Sequence, residues 1–202
     1  GRRVAVGASD NDVGGVDAGL VRLFEYDSSS WKQIGDDIQG VAAGDMCGYA
    51  VSLSPDGNRV AIGAYKNDGA GSDSGHVRVF EYNLTCTSWV QLGLDIYGEA
   101  EGDNSGLAVS LSHDGSYVAI GADLNDSGGL DSGHVRVFQY RYGIASWVQV
   151  GAAIVGESSG DYSGWSVALS GDGGRVAIGT PYNSDVGTNA GHVRVYEFNT
   201  TC

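Results

Sequence analysis

Five residues, Val60-Ala61-Ile62-Gly63-Ala64, decide the fold, because near-copies of this stretch recur along the whole chain. The copies begin at Val4, Val118 and Val176, so that successive starts are 56, 58 and 58 residues apart. Self-similarity at a fixed period of this length indicates a repeat architecture. The 202 residues therefore hold about three and a half units of 58 residues.

Three more segments recur with the same period, and each is predicted to be a β-strand from its apolar alternation and its flanking turn residues. The segment before the quoted strand follows a Gly-Asp-x-x-Gly entry, and a tight Asp-Gly turn such as Asp56-Gly57 joins the two. The segments after it read Gly75-His76-Val77-Arg78-Val79-Phe80 and Trp89-Val90-Gln91-Leu92-Gly93 in the second unit. Each unit is thus predicted to contain four strands, A to D, of which the quoted stretch is strand B.

Repeats of four short strands and this length predict an all-β fold of β-propeller blades, each with four antiparallel strands. Small residues on one face of strand A, such as Ala50 and Ser52, suit strands that crowd around a propeller axis. The incomplete first and last blades predict that the chain is part of a larger propeller or assembly. The predicted blades are residues 1–40 (strands B to D only), 41–99, 100–157 and 158–202 (strands A to C only).

The charge of the chain excludes some partners. It has 25 acidic and 11 basic residues, a formal net charge of −14. Binding to nucleic acid depends on clustered Lys and Arg, so we expect no nucleic-acid partner. No apolar run approaches the roughly 20 residues that span a bilayer, so we expect no membrane insertion.

The order of motifs resembles the FG-GAP repeats of integrin-type β-propellers. The resemblance rests on the Gly-Asp-x-x-Gly entry at 160–164, the Val-Ala-Ile-Gly-Ala strand, an acidic loop after it and the Trp-x-Gln strand, and it covers essentially the whole chain. A second resemblance, of Ser54-Pro55-Asp56-Gly57 to a turn of WD-like and periplasmic propellers, ranks lower because those propellers lack the acidic loop.

The first resemblance implies a non-catalytic extracellular or cell-surface propeller with a structural or adhesive role, secreted through a signal outside this chain. Its partners would be other protein chains, glycans, or copies of itself joined through the incomplete terminal blades, as in a repeating subunit of a surface fibre. The alternative is an accessory binding domain of a secreted hydrolase or lyase whose catalytic part lies outside this chain.

The resemblance also implies Ca²⁺ in the loops between strands B and C. Calcium takes about six to eight oxygen ligands, which closely spaced carboxylates and amides can supply. In the third unit Asp123, Asn125, Ser127 and Asp131 fit the Asp-x-Asn-x-Ser-Gly-x-x-Asp loop of the family. We therefore expect a Ca²⁺ site in this third loop.

The other loops fit less well, because Ser9, Tyr65 and Pro181 stand at the first ligand position. The fourth loop also closes with Asn189 in place of Asp and is the weakest candidate. The alternative for all four is that Asn, Asp and Gly simply form turns, with short side chains that cap their own backbone. The candidate ligands are Asn11, Asp12 and Asp17 in the first loop, and Asn67, Asp68 and Asp73 in the second.

No catalytic residue is expected. Gly156-x-Ser158-x-Gly160 has the spacing of a nucleophile elbow, but the same column in the preceding unit, residues 98–102, has no serine, so we interpret it as a linker. Trp165 stands where other units have Tyr49 and Leu107 and is either a stacking surface for a sugar or, as we favour, a core-filling side chain.

An arginine recurs in the middle of every strand C, where a bare guanidinium would be costly to bury. We expect each arginine to pair in bidentate fashion with a nearby aspartate. The four arginines are Arg22, Arg78, Arg136 and Arg194, and the candidate partners are Asp45, Asp103 and Asp161.

Three cysteines are an odd number, and their places in the blades keep them apart. Cys47 precedes a strand A and Cys86 follows a strand C, at opposite faces of the ring, while Cys202 shares its column with Cys86 two blades away. We predict that any disulfide is intermolecular. Glycosylation sequons begin at Asn83, Asn125 and Asn199, and a glycan on Asn125 conflicts with its role as a metal ligand.

Overall fold

The computed structural model describes residues 1–198, and every regular element in that range is a β-strand. None of the described segments is a helix of the length and apolar character needed to cross a membrane. The strands are β1 (Arg3–Ala8), β2 (Leu20–Tyr26), β3 (Trp31–Gln33), β4 (Ile38–Gln39), β5 (Ala50–Leu53), β6 (Arg59–Ala64), β7 (His76–Asn83), β8 (Ser88–Gln91), β9 (Ile96–Tyr97), β10 (Ala108–Leu111), β11 (Tyr117–Ala122), β12 (His134–Arg141), β13 (Ser146–Gln149), β14 (Ile154–Val155), β15 (Ser166–Leu169), β16 (Arg175–Thr180) and β17 (His192–Glu197).

The strands form four antiparallel sheets, and the all-β propeller fold predicted from the repeats is confirmed. The chain order within a sheet is a simple meander, as in β5-β6-β7-β8 and β10-β11-β12-β13. Strand D is interrupted, so that β9 and β14 pair with the same strand C as β8 and β13 do. The first sheet contains β1 to β4 and the last contains β15 to β17. The blade boundaries drawn from the sequence stay a prediction.

Each predicted Asp-Gly turn joins strands A and B through local side-chain bonds. Ser54 Oγ donates to Asp56 Oδ1 at 2.6 Å, and the same carboxylate oxygen accepts the Asn58 amide at 3.0 Å. Gly57 adopts a φ of +74°, which favours glycine. The turn therefore forms because the short Ser and Asp side chains satisfy backbone groups that the hairpin leaves open.

The A strands of neighbouring sheets lie side by side and define the central axis. The Ser52 hydroxyl accepts the Leu111 amide at 3.0 Å, and Ser110 repeats this bond with Leu169 at 2.9 Å. Small residues in strand A are thus needed because the neighbouring backbone comes within hydrogen-bonding distance of their side chains.

The core lies between consecutive sheets, where one face of each sheet packs against the opposite face of the next. Val77 and Val79 of the second sheet contact Val118 and Ile120 of the third, and all four are buried. The same columns form the core between the first and second sheets and between the third and fourth. The second and third sheets therefore each contribute to two junctions, and the first and last sheets contribute to one each.

Candidate functional site

Five aromatic side chains lie in two groups, one in the second sheet and one in the fourth, at the end of the axis where the A strands begin, and we call the two groups together the axial aromatic surface. The Tyr49 and Tyr65 ring centroids are 4.5 Å apart in the second sheet. In the fourth sheet Tyr182 lies 5.1 Å from Tyr162 and 6.3 Å from Trp165, nearly edge-on to both. Each group arises because strand A starts where strand B ends, so residues 49 and 65, or 165 and 182, meet at one edge of their sheet.

Core filling by Trp165, the interpretation favoured from its sequence position, is wrong. The side chain is 49% exposed, and Tyr49 in the same column is 51% exposed. Large rings that stay exposed close to a propeller axis offer a flat apolar surface to a ligand.

The third loop holds a buried carboxyl group with an unused oxygen. Asp123 follows β11 directly and is only 3% exposed, and its Oδ1 has no hydrogen-bond partner among the described residues. Burial raises the pKa of Asp123 to about 6, and the negative charge of Asp131 contributes to the rise. A buried carboxylate without a partner is costly, and a bound cation would offset that cost.

The amide and carboxylate side chains of these loops cap their own backbone. Asn125 Oδ1 accepts the Ser127 amide at 2.9 Å, and Asp126 Oδ1 accepts the Asp131 amide at 2.8 Å. Asn11 and Asp12 make the equivalent bonds in the first loop, to Val13 and to Asp17. These contacts are the turn-forming alternative considered for the loops, and they coexist with the free oxygen of Asp123.

The second loop differs in the way its charge is balanced. Asn67 Oδ1 accepts the Gly69 amide and Asp68 Oδ1 accepts the Asp73 amide, each at 2.9 Å. The Asp73 carboxylate also pairs with Lys66 Nζ at 3.0 Å. Because Tyr65 stands where the third loop has Asp123, this loop lacks a buried carboxyl group at its first position. Of the first three loops, the third alone has an aspartate at that position, and it fits a cation best.

The aspartate of each Gly-Asp entry binds the linker and the loop together. Asp103 Oδ2 accepts the Ala100 amide at 2.9 Å and Asn125 Nδ2 at 3.0 Å. The expectation that the strand-C arginines pair with these aspartates is wrong. The Arg136 guanidinium instead donates to the Tyr97 carbonyl oxygen at 2.6 Å and lies 3.5 Å from Glu99. Arg22 forms the expected bidentate pair with an aspartate, but its partner is Asp37, with Oδ1 at 2.9 Å and Oδ2 at 2.8 Å. The aspartates of the Gly-Asp entries are already occupied by backbone amides, so Arg78, Arg136 and Arg194 bind the unit before them instead.

Within residues 1–198 one group of acidic and histidine side chains is close enough to share a metal ion. The ligand atoms of Glu157, Asp185 and His192 all lie within 4.8 Å of one another. These residues come from a linker, a loop and a strand, so no sequence spacing could have shown the cluster. Arg194 forms an ion pair with Glu157, which already compensates one of the two carboxylates.

Two of the predicted modification sites are corrected by burial. Asn125 is almost fully buried with its Nδ2 bonded to Asp103, so this sequon cannot carry a glycan. Cys47 is fully buried and burial raises the pKa of its thiol, which removes it as a candidate for an intermolecular disulfide. Asn83 and Cys86 are exposed and stay predictions, and Asn199 and Cys202 lie outside the described residues.

The family comparison agrees with the repeat seen in the sequence and the sheets. The model described as FG-GAP repeat matches residues 39–80 and 155–196. The chain contains FG-GAP repeats at these two places, as its sequence predicted. Both matched segments run from the end of a strand D into the next strand C, and so include one B–C loop each. No curated protein matches the chain.

Solved structures share the propeller fold of this FG-GAP chain at low sequence identity. The periplasmic gluconolactonase of Pseudomonas aeruginosa is 17% identical, with a TM-score of 0.58, over 96% of this chain and 49% of its own. A Bacteroides uniformis protein described as a 6-phosphogluconolactonase is 15% identical, with a TM-score of 0.59, over 91% of this chain and 46% of its own. The FG-GAP chain thus spans about half the length of these structures.

These structures correct the functional prediction. The sequence resemblance predicted a non-catalytic propeller with a structural or adhesive role, or an accessory domain whose enzyme lies elsewhere. That prediction is wrong, because the two solved structures described above share the fold and are described as lactonases, which are enzymes. The absence of catalysis does not follow from FG-GAP repeats.

Proposed function

We propose that this chain is part of a β-propeller hydrolase that acts on a sugar lactone, and that the axial aromatic surface binds the sugar ring. The exposed rings at the axis carry the proposal, with Trp165 and Tyr182 nearly perpendicular to each other. The gluconolactonase and 6-phosphogluconolactonase descriptions of structures with this fold supply the reaction class.

The aromatic rings suit such a substrate for a physical reason. A sugar lactone has apolar C–H groups on the faces of its ring and hydroxyl groups around its edge. Flat rings such as Trp165 stack on the C–H face, while the hydroxyl groups of Tyr162 and Tyr182 in the same group donate and accept hydrogen bonds at the edge. In the reaction, water adds to the ring carbonyl carbon, the bond from that carbon to the ring oxygen breaks, and the ring oxygen takes up a proton to leave a hydroxy acid.

Hydrolysis of glucono-1,5-lactone tests the proposal. Proton release is followed with a pH indicator and compared with spontaneous ring opening, and gluconate binding is followed by Trp fluorescence. Trp165→Ala is expected to lower kcat/KM about tenfold or more, since it removes one stacking surface of roughly 1–2 kcal/mol. Trp31→Ala is the matched control, because Trp31 is 52% exposed on the outer strand β3. Turnover no faster than the spontaneous rate, without binding of gluconate, contradicts the proposal.

Cation binding in the third loop is a second candidate function, favoured by the unpartnered Oδ1 of Asp123. Asp123, Asn125, Ser127 and Asp131 would hold the Ca²⁺ ion, which when bound would supply positive charge beside the buried carboxylate. The first and second loops, with Asn11, Asp12, Asp17, Asn67, Asp68 and Asp73, are weaker candidates of the same kind.

We also propose that the protein is extracellular and that Asn83 carries a glycan. Asn83 is exposed at the end of β7, and its Oδ1 accepts the Thr85 amide at 2.8 Å, which places the sequon in an ordered turn at the surface. Oxidising surroundings would also suit the exposed Cys86 as a partner in an intermolecular disulfide.

A further inference from the structure

Two histidines at the start of a strand C are buried and lack hydrogen-bond partners. His76 begins β7 and His134 begins β12, and each is 1% exposed. Neither Nδ1 atom has a hydrogen-bond partner among the described residues, and the Nε2 atom of His76 has none either. Burial removes the solvation of an imidazole, so a positive charge there is costly. Both rings therefore fit this place in the fold only in their neutral form.

The first sheet shows that the same place suits an apolar side chain. Leu20 occupies this column at the start of β2 and is 2% exposed. The backbone register is also the same, since Leu20 pairs with Ala8 as His76 pairs with Ala64. A neutral imidazole can replace the apolar group of a leucine in such a place, whereas an imidazolium cannot.

Charged groups of both signs face His76. Arg78 lies on the same face of β7, two residues along, and its positive charge opposes protonation of the ring. Asp95 and the more distant Asp45 favour protonation, and the Asp95 Oδ2 atom lies 3.4 Å from Nδ1. That oxygen already accepts the Tyr97 hydroxyl group at 3.3 Å. Burial and Arg78 outweigh the two carboxylates and lower the pKa of His76 to about 4.

The third sheet repeats this arrangement around His134. Arg136 stands beside the ring, and the carboxylates that act on it belong to Glu99, which lies 3.8 Å from Nδ1, and to Asp103. Burial and Arg136 lower the pKa of His134 against the effect of both carboxylates. Both histidines therefore release a proton more readily in the folded chain than in the unfolded chain.

The arginine beside each histidine connects its strand to the unit before it. Arg78 donates to the Gln39 carbonyl oxygen at 2.6 Å and lies 3.4 Å from Cys47 Sγ. Arg136 makes the equivalent contacts in the next unit. A positive charge on His76 would repel the Arg78 guanidinium and weaken its hold on the preceding linker.

We propose that His76 and His134 form an acid-sensitive lock between consecutive sheets, which is closed while both rings are neutral and loosens when they take up protons. The unfolded chain binds more protons than the folded chain between about pH 4 and the ordinary histidine pKa of 6.5. The stability that depends on these two neutral rings is complete above this range. It is lost as the pH falls through it.

Urea denaturation at about pH 5 and about pH 7.5 tests the lock with leucine in place of histidine. From the higher to the lower pH, the unfolding equilibrium constant of the wild-type chain is expected to rise at least about tenfold more than that of His76→Leu/His134→Leu. Leu20 shows that leucine fits this column. His113→Gln is the control, because His113 is exposed and its loss should leave the pH dependence unchanged. Asp123 and the other carboxylates contribute alike to all three proteins, so an equal pH dependence of the wild type and the double variant overturns the proposal.

Cys47 reports whether the loosening occurs at the junction. Its thiol is fully buried beside Arg78, whereas Cys86 is exposed. Dipyridyl disulfide, which reacts with thiols in acid, is applied without denaturant, and the labelled peptides are identified by mass spectrometry. Labelling of Cys47 relative to Cys86 is expected to be several-fold faster at about pH 5 than at about pH 7.5 in the wild-type chain, and to stay constant in His76→Leu. A constant ratio in the wild-type chain contradicts the lock.

NMR titration of the wild-type imidazoles gives a test that needs no variant. The signals of His76 and His134 are expected to remain those of neutral rings down to about pH 5, while the exposed His113 titrates near its ordinary value. Titration of all three rings near the ordinary value overturns the proposal.

Discussion

At the scale of single residues, the position and the electrostatics of Asp123 both suit a bound cation beside its carboxyl group. Its carboxyl group is buried directly after β11, with a raised pKa of about 6 and an Oδ1 that has no partner within the described chain. The equivalent positions hold Ser9, Tyr65 and Pro181, so the feature belongs to the third repeat. A group like this is stable either when it is protonated or when a cation lies beside it.

This position gives a prediction for calcium and pH. The folded pKa of Asp123 lies above the ordinary value, so the folded state binds more protons than the unfolded state between about pH 4 and pH 6. Stability is therefore present at low pH and is lost as the pH rises through that range. In EGTA at pH 7, Asp123→Asn is expected to raise the free energy of unfolding by about 1–2 kcal/mol, because it removes the buried charge.

Calcium reverses the order of the two proteins in the same experiment. We expect Ca²⁺ to raise the melting temperature of the wild-type chain at pH 7 and to leave that of Asp123→Asn nearly unchanged. Asp126→Asn is the control, since Asp126 is exposed and its Oδ1 caps the Asp131 amide. Elemental analysis without calcium, together with identical melting curves in EGTA and Ca²⁺, would count against the cation site.

At the scale of the strands, the glycine in strand B sets the distance between neighbouring sheets. A Cβ atom on Gly121 would overlap the carbonyl oxygen of Gly164, which lies just before strand A of the next sheet. Gly63 has the same relation to Gly106. The glycine in the Val-Ala-Ile-Gly repeat is therefore required by the close approach of backbone from the next repeat.

Gly121→Ala is expected to separate the third and fourth sheets and to lower the free energy of unfolding by about 2–4 kcal/mol, through steric overlap with backbone that cannot move freely. Urea denaturation measures the change. Gly143→Ala is the matched control, because a Cβ atom on Gly143 meets no other atom within 4 Å. Equal destabilisation by both substitutions would show that spacing between sheets is not the cause.

The recurring tryptophan and arginine side chains form hydrogen bonds between neighbouring sheets. Trp147 Nε1 donates to the Leu92 carbonyl oxygen at 2.7 Å, and Trp89 repeats the bond with Ile34 at 3.0 Å. Arg136 binds the carbonyl oxygen of Tyr97 in the preceding linker. Both side chains thus connect one sheet to the unit before it, which the recurrence of these residues in the sequence did not indicate.

At the scale of the whole molecule, net charge opposes the compact fold while apolar burial between the sheets favours it. The chain carries a formal charge of −14, so its parts repel one another when they are brought together. Salt screens that repulsion and leaves the packing of the valine columns unaffected. Raising NaCl from about 20 to about 300 mM is therefore expected to raise the melting temperature, measured by circular dichroism. A melting temperature that falls with salt would show that ion pairs stabilise the fold instead.

The sequence by itself determined the repeat, the four strands per unit, the propeller fold and the family, because strand periodicity, Asp-Gly turns and a fixed period are local patterns. It also marked the third loop by its aspartate, although the burial of that carboxyl group depends on how the loop folds. The tertiary structure alone decided which side chains are exposed, such as Trp165 at the axis, and which are buried, such as Cys47 and Asn125. Residues in the same sequence column, such as Val6 and Ile62, differ in exposure because a neighbouring sheet covers one of them and not the other.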